Sequence, residues 1–348
     1  MSEKSRAPTS LDVARLAGAS QTTVSLVLRG RGDASRVSKP TQERVFEAAR
    51  TLNYVPNRLA RSLRNQATQA ITVVVPSLQN PFFAEVVSQA QAEADERGFS
   101  VNVMVANSPA KVRQVLSYLA GGSVDGVLLG VDPDSVSDQI EVLAGRGVSC
   151  VIIQAGGHLP SNIPNISIDV EGGGFMATQH LISLGHRRIG YITELDNKTH
   201  KKYLGFRRAL NGAGLEACEA WFAVGRNTMS GGAEATQLLL SQSGAERPTA
   251  IFAYNDLMAI GALRVLRQNG IRVPEDVAVV GFDGTTIGAF TNPSLTTISH
   301  ERNALAVEVL FGLIMKRDLS QTRYDVPISL TIRESCGSSI KMPKSAQH

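Results

Sequence analysis

The first fifty residues place hydrophobic side chains at helical spacing, separated by short polar turns. This pattern predicts three short helices, at about 10–17, 21–29 and 39–52, with Ser10 capping the first and Ser38 the third. The positions predicted to face inward are Leu11, Val13, Ala14, Leu16, Ala17, Val24, Val27, Leu28, Val45, Phe46, Ala49 and Leu52.

From Ile71 onwards, short apolar runs alternate with amphipathic helical stretches. The predicted strands are 70–75, 100–105, 126–130, 150–153, 189–192, 250–253 and 277–280. Near-continuous apolar strands divided by helices are typical of parallel sheets that are covered on both faces. This alternation of strands and helices extends over about 270 residues, which is more than one ordinary domain contains. The sequence therefore predicts two doubly wound α/β lobes, with a chain crossing at Gly172–Gly174.

Charge is distributed unevenly along the chain. Residues 1–65 carry twelve Lys/Arg and five Asp/Glu, a net charge of +7, whereas the remaining residues carry a net charge of −3. A basic N-terminal segment favours contact with a polyanion such as nucleic acid, but many solvated domains are also basic. Charge alone therefore does not distinguish a nucleic-acid-binding segment from an ordinary basic domain.

Residues 11–25 carry the pattern of a helix-turn-helix. Small residues stand at the helix crossing, Gly18 supplies the turn, and polar residues open the second helix, where they would face a major groove. An αα-hairpin in a helical bundle fits the same spacing, so the pattern alone leaves both structures open.

Motifs along the whole chain resemble those of the LacI/GalR repressors. They are Asp12-Val13-Ala14, Ala17-Gly18, Thr23-Val24-Ser25, Asn53-Tyr54-Val55-Pro56-Asn57, Ala60-Arg61-Ser62-Leu63, Asn80-Pro81-Phe82-Phe83, His180-Leu181, Gly205-Phe206, Asn255-Asp256, Val280-Gly281-Phe282-Asp283 and Leu295-Thr296-Thr297-Ile298. The resemblance implies a transcription regulator, most often a repressor, that binds double-stranded operator DNA as a homodimer. It also implies a module similar to periplasmic sugar-binding proteins, whose two lobes close on a small, sugar-like effector.

This resemblance sets the expected domain organisation. A small all-α helix-turn-helix domain is expected at 1–54, a hinge at 55–69 and an effector-binding and dimerisation module at 70–340. Within the module, the expected N-lobe comprises about 70–169 and 298–326, and the expected C-lobe about 170–297 and 327–340.

The resemblance also implies residues that contact DNA. Gln21 and Thr22 occupy positions that contact base edges. Leu26 stands where many relatives carry arginine, and leucine cannot make the paired hydrogen bonds that arginine makes to guanine. Leu63 matches a wedge inserted between base steps of the minor groove, although packing at the domain junction is the alternative. The full implied set is Gln21, Thr22, Thr23, Ser25, Leu26, Tyr54, Asn57, Arg58, Ala60, Arg61 and Leu63.

A second implied set binds the effector. Phe82 and Phe83 match aromatic walls of the ligand cleft, although such a pair also suits a core, and Asp283 matches a carboxylate that accepts hydrogen bonds from ligand hydroxyls. Lys202 stands where relatives often have arginine, and Gly284 where a second aspartate is frequent. The full implied set is Ser77, Phe82, Phe83, Gln154, Asp169, Lys202, Asn255 and Asp283.

Other classes of function lack sequence support. No phosphate-binding loop, nucleophile elbow or metal-ligand spacing is found, so we expect no enzyme activity, cofactor or metal. A sugar-binding protein without a DNA-binding domain is a better alternative to a regulator than an enzyme is. No secretion signal or membrane span is found, however, so we expect a cytoplasmic, nucleoid-associated protein. The three cysteines, Cys150, Cys218 and Cys336, are expected to be small core residues.

Overall fold

The computed structural model describes residues 8–28, 37–55, 67–131, 136–153, 162–194, 198–242, 246–317 and 321–338. The chain divides into two compact units, Met1–Thr68 and Gln69–His348. Most of the predicted hinge lies outside the described residues, so that assignment stays a prediction. In the described ranges, no helix is both long enough and apolar enough to cross a membrane.

The described part of the first unit consists of α1 (Ser10–Ala17), α2 (Gln21–Val27) and α3 (Lys39–Thr51). Thr9, and not Ser10, is the N-cap of α1: the Asp12 carboxylate accepts the Thr9 backbone N–H at 2.8 Å, and the Thr9 hydroxyl oxygen accepts the Asp12 N–H at 3.4 Å. The prediction of Ser10 was wrong because the acidic residue that completes this reciprocal cap stands three residues after Thr9.

The core of the first unit is small. Leu11, Leu16 and Phe46, which were predicted to be buried, are 44%, 54% and 43% exposed. Short helices bury only a narrow stripe, so apolar residues that flank this stripe stay at the surface. The buried residues are Val13, Ala14, Ala17, Val24, Val27, Val45, Ala48 and Ala49.

The second unit alternates strands and helices. Its strands are β1 (Ala70–Val75), β2 (Ser100–Val105), β3 (Gly126–Leu129), β4 (Ser149–Ile152), β5 (Asn165–Ile168), β6 (Ile189–Thr193), β7 (Phe222–Val224), β8 (Ala250–Ala253), β9 (Ala278–Phe282), β10 (Thr296–His300), β11 (Arg323–Val326) and β12 (Ile328–Thr331). Its helices are α4 (Pro81–Arg97), α5 (Pro109–Leu119), α6 (Ser137–Gly145), α7 (Val170–Ser183), α8 (Lys201–Gly212), α9 (Met229–Gln242), α10 (Asp256–Gln268) and α11 (Arg302–Ile314).

These strands form two sheets, one in each lobe. Their orders are β11-β5-β4-β3-β1-β2 and β12-β10-β9-β8-β6-β7, and the described pairings are parallel except for that of β10 with β12. Alternate residues of β1 enter different cores, Val74 on one face and Val73 and Val75 on the other. Each face of this sheet therefore has its own core, as the doubly wound prediction requires.

The chain passes from the second lobe back to the first lobe after β10. This strand pairs with β9 and β12, and the following helix, α11, contributes Ala306 and Leu310 to the core of the first lobe. The crossing therefore falls near residue 301, whereas the predicted boundary at 298 lies inside β10. The strand stays whole because its hydrogen-bonded ladder continues to His300.

The Gly172–Gly174 stretch is not the crossing between lobes, contrary to the prediction. It lies inside α7 and allows this helix to touch α8 closely. A Cβ on Gly174 would lie 2.2 Å from the Lys202 carbonyl oxygen, and one on Gly205 would lie 2.0 Å from the Glu171 carbonyl oxygen. These glycines therefore set the position of α8, the helix that carries Lys202.

The cysteines do not share one environment. Cys150 and Cys336 are buried, whereas Cys218 is exposed, so the prediction of a core position was wrong for Cys218. Cys218 directly precedes a surface 3-10 turn at 219–221, which has no buried residue.

Candidate functional site

The second helix of the first unit presents polar side chains at its start. Ser20 is the N-cap of α2, and its hydroxyl oxygen accepts the backbone N–H of Thr23 at 3.0 Å. Gln21 and Thr22 are exposed, and the Gln21 Nε2 donates a hydrogen bond to the Ser10 hydroxyl at 2.8 Å. This end of α2 therefore offers amide and hydroxyl groups at the surface, which are the groups that read base edges.

Other predicted DNA-contacting residues have structural contacts of their own. Thr23, Ser25 and Leu26 are partly buried, and the Thr23 hydroxyl lies 2.8 Å from that of Ser20. Tyr54 is partly buried and packs against the core of the first unit. Their roles on DNA stay predictions. The remaining members of the set lie outside the described residues: Asn57, Arg58, Ala60, Arg61 and Leu63.

A cavity of about 470 Å³ lies between the two lobes of the second unit. It is lined at the carboxyl ends of strands, because Pro76, Glu194, Tyr254 and Asp283 directly follow β1, β6, β8 and β9. Ligands of open α/β sheets bind at such edges, and the volume suits a small molecule. The predicted effector residues that line it are Phe82, Phe83, Lys202, Asn255 and Asp283.

The aromatic wall of the cavity is set by the start of α4. The Asn80 side-chain oxygen caps this helix by accepting the Phe82 N–H at 3.0 Å, and Pro81 occupies its first position. The rings of Phe82 and Phe83 meet edge to face, with centroids 5.0 Å apart. Phe82 is buried and Phe83 is partly exposed, so the buried ring of Phe82 packs behind the ring of Phe83.

Asp283 has a strained backbone at the end of β9. Its φ angle is 120°, which residues with a side chain rarely adopt, and its N–H donates to the Ile298 carbonyl oxygen at 3.0 Å. Burial raises the pKa of the Asp283 carboxyl, while the cations of Lys202 and Arg302 and a hydrogen bond with the Asn80 side chain oppose this increase. The carboxylate is thus held in the cavity by neighbours from both lobes.

The next residue, Gly284, also adopts a positive φ of 69°. A Cβ at this position would lie 2.7 Å from the hydroxyl oxygen of Ser299. The second aspartate that is frequent in relatives therefore has no room here unless Ser299 moves.

Lys202 is a buried cation in the second lobe. Its Nζ donates to the Tyr254 carbonyl oxygen at 2.7 Å and lies 4.2 Å from the Tyr254 ring centroid and 3.9 Å from that of Phe282. Burial lowers the pKa of Lys202, and the attraction of Asp283 opposes that decrease. The faces of these two rings stabilise the ammonium group at the wall of the cavity.

Asn255 connects the cavity to the start of α10. Its side-chain oxygen caps this helix by accepting the Met258 N–H at 3.0 Å, and its Nδ2 donates to the Asn227 side-chain oxygen at 2.7 Å. Behind it, burial and the nearby Asp283 charge raise the pKa of Asp256 to about 7. The polar wall is therefore continuous with a buried carboxyl.

Two of the predicted effector residues, Ser77 and Asp169, do not line the cavity. The Ser77 hydroxyl oxygen accepts the Gln79 N–H at 3.0 Å, and the Asp169 carboxylate caps α7 by accepting the Gly172 N–H at 2.8 Å. Both side chains are therefore engaged in shaping local backbone turns. Gln154 lies outside the described residues.

The structure adds lining residues that sequence reasoning missed. Asn80 and Phe282 stand inside motifs already noted, so the motifs could have revealed them. Glu194 and Tyr254 directly follow strands, which is a weaker signal. Arg302 had no sequence signal, because its position in the cavity depends on the crossing after β10. The full set of added polar or aromatic residues is Asn80, Asn107, Ser108, Glu194, Asn227, Tyr254, Phe282 and Arg302.

A helix-turn-helix unit and a two-lobed α/β unit with a polar cavity define the class of ligand-responsive DNA-binding regulators. Family comparison agrees with this class. Residues 9–57 match the model of bacterial regulatory proteins of the lacI family, and residues 178–336 match the periplasmic binding protein-like domain.

Individual proteins show the same similarity. The chain is 35% identical over 338 residues to the HTH-type transcriptional repressor PurR of Haemophilus influenzae (strain PittEE), covering 93% of this chain and 97% of the relative. A solved complex of the transcriptional regulator CelR with cellobiose is 34% identical, with a TM-score of 0.66 and coverage of 94% and 99%. The lac repressor dimer bound to operator and the anti-inducer ONPF is 27% identical, with a TM-score of 0.77 and coverage of 95% and 99%.

The chain belongs to the LacI family of bacterial transcription regulators. Its sequence motifs predicted this family, and the prediction is confirmed. The protein is accordingly a DNA-binding transcription regulator.

Proposed function

We propose that the protein represses transcription as a homodimer on operator DNA, and that a small hydroxylated effector in the cavity controls its operator affinity. The observation that carries the proposal is the cavity between the lobes, where Asp283, Lys202 and Asn255 present an acceptor, a cation and an amide beside the aromatic ring of Phe83. This chemistry suits sugar-like molecules and requires no catalytic step or cofactor.

A ligand in this cavity can act on DNA binding through the arrangement of the lobes. It contacts residues of both lobes, so its affinity depends on their relative position. A ligand shifts an equilibrium only by its difference in affinity for the two states. Either direction of control, release from DNA or retention on it, is compatible with this mechanism.

The DNA-binding part of the proposal rests on α2 and on the relatives. Gln21 and Thr22 are exposed at the start of this helix, and the lac repressor in its operator complex is a dimer. A dimer presents two recognition helices to two half-sites, which explains the need for two copies. Sedimentation of the full-length protein should therefore give the mass of a dimer without operator and that of a dimer plus one duplex with it, and a monomer on DNA would contradict this part.

Operator recognition can be tested on the full-length protein with a duplex selected from a random library. Gln21→Ala and Thr22→Ala should each weaken binding to the selected duplex by about 1–3 kcal/mol, because a base-edge contact is lost. Binding to a scrambled duplex should change little, since phosphate contacts persist. Thr51→Ala, at the exposed end of α3, is the matched control. Equal losses on both duplexes would contradict base reading by α2.

Effector control can be tested with a panel of sugars and sugar derivatives that includes cellobiose. A compound that binds should raise the melting temperature of the protein and change its operator affinity. Asp283→Asn and Lys202→Met should both weaken these responses while operator binding without effector persists. Lys111→Met, an exposed residue of α5, is the control. Wild-type titrations for Asp283→Asn and Lys202→Met would remove these residues from the effector site.

A further inference from the structure

Arg302 is a second cation of the cavity, in addition to Lys202. It is the first residue of α11 and reaches the cavity directly after the chain leaves β10. Its guanidinium group lies 4.6 Å from the centroid of the Phe82 ring. Its Nε is buried and has no hydrogen-bond partner among the described residues. The side chain is thus held in place by an aromatic face while part of its donor edge stays unused.

Arg302 remains charged at neutral pH although it is partly buried. Burial lowers the pKa of Arg302 to about 10, and the Asp283 carboxylate opposes that decrease. The same carboxylate also gives the largest compensation for Lys202, and Lys202 is further disfavoured as a cation by Arg302. Asp283 is therefore the carboxylate with the largest influence on both cations.

Glu194 is a second carboxylate that lines the cavity. It also raises the pKa of Lys202, but less than Asp283 does. Among the described residues, no carboxylate oxygen lies within 4.0 Å of a charged nitrogen of Lys202 or Arg302. Lys202, Arg302, Asp283 and Glu194 together carry two positive and two negative charges, but neither cation has a close ion-pair partner among the described residues.

A guanidinium group that is largely removed from water and has no close ion-pair partner is costly to the protein, and an anion that binds it in the cavity would reduce this cost. A guanidinium group is well suited to the purpose, because its planar edge donates two parallel hydrogen bonds to a carboxylate or phosphate. The Asp283 carboxylate can accept hydrogen bonds from hydroxyl groups of the same molecule. A cavity of about 470 Å³ has room for both kinds of group in one small molecule.

We propose that the effector is a polyhydroxylated anion, such as a sugar acid or a sugar phosphate, whose anionic group binds Arg302 together with Lys202. This inference rests on the proposed effector function and adds the chemical class of the ligand. Carboxylate and phosphate share the required chemistry, so the experiment compares both.

The test uses matched sets of compounds with the full-length protein: glucose, gluconate and glucose 6-phosphate, and galactose, galactonate and galactose 6-phosphate. Melting temperature and calorimetric affinity are measured for the wild type, Arg302→Met, Arg302→Lys and the surface control Arg272→Met. At least one anion should bind the wild type more tightly than its neutral parent. Arg302→Met should lose that affinity by about 10- to 100-fold, the scale of a charged hydrogen bond.

The variants separate loss of the site from loss of the fold. Arg302→Lys keeps the positive charge and should retain part of the anion affinity, whereas Arg272→Met should behave as the wild type. The inference is overturned if no anion binds, if a neutral parent binds as tightly as its acid and phosphate, or if anion affinity is unchanged in Arg302→Met.

Failure of this inference is distinguishable from failure of the proposed function. If a neutral sugar binds and changes operator affinity while no anion binds, effector control stands and the anionic class is wrong. If an anion binds in an Arg302-dependent manner but no compound changes operator affinity, the anion site stands and effector control is wrong.

Discussion

The buried carboxyl of Asp256 should make the stability of the second unit decrease as the pH rises towards neutral. Its Oδ2 accepts the Thr285 N–H at 2.7 Å and the Thr285 hydroxyl at 2.8 Å, and its Oδ1 lies 2.5 Å from the Thr297 hydroxyl oxygen. In Asp256→Asn, the amide oxygen can replace Oδ2, and the amide nitrogen can donate to Thr297. The substitution therefore imitates the protonated acid.

The size of the effect follows from the pKa of this group. Burial, with the nearby Asp283 charge, raises the pKa of Asp256 from 3.8 to about 7 in the folded protein. The folded state then holds a proton that the unfolded state has lost between these two values, so stability falls across this range. At about 1.4 kcal/mol for each pKa unit, the loss between pH 4 and pH 7 amounts to about 4 kcal/mol.

The assay is urea unfolding of the full-length protein at several pH values, followed by the fluorescence of Trp221, the single tryptophan of the chain. The quantity of interest is the free energy of unfolding of the wild type minus that of Asp256→Asn, because other titrating groups cancel in this difference. It should decrease by about 4 kcal/mol from pH 4 to pH 7. Asp138→Asn, an exposed carboxyl of α6, is the control. A difference that stays constant over this range would refute the reasoning.

Gly205→Ala should lower the free energy of unfolding by about 1–3 kcal/mol, because its Cβ would overlap the Glu171 carbonyl oxygen, whereas Gly212→Ala on the same helix has open space and should not destabilise. The urea assay measures both, and equal effects would contradict the close helix contact. Thr9→Ala should cost about 1 kcal/mol and speed amide exchange in α1, and unchanged exchange would argue against the cap. Leu63→Ala, outside the described residues, should weaken operator binding about tenfold or more but spare scrambled DNA, whereas equal losses would contradict a minor-groove wedge.

Local sequence patterns were sufficient for most helices and strands, because periodicity reports which residues face a core. They were less reliable where a reciprocal contact or the width of a buried stripe decides the outcome. Ser10 was a reasonable cap by residue type, but Thr9 has Asp12 at the required spacing. Phe46 follows the helical pattern of α3, yet three short helices do not cover it.

The sequence by itself determined the family and the alternation of strands and helices in the larger unit, because these depend on motifs and on local spacing. It also predicted five residues that line the cavity, and their role in effector binding stays a prediction. Only the tertiary structure decided which charges share one site. Asn80, Lys202, Asp283 and Arg302 are far apart along the chain and come from both lobes. The order of strands and the passage of the chain between lobes after β10 bring these four residues together, and no local sequence pattern encodes their proximity.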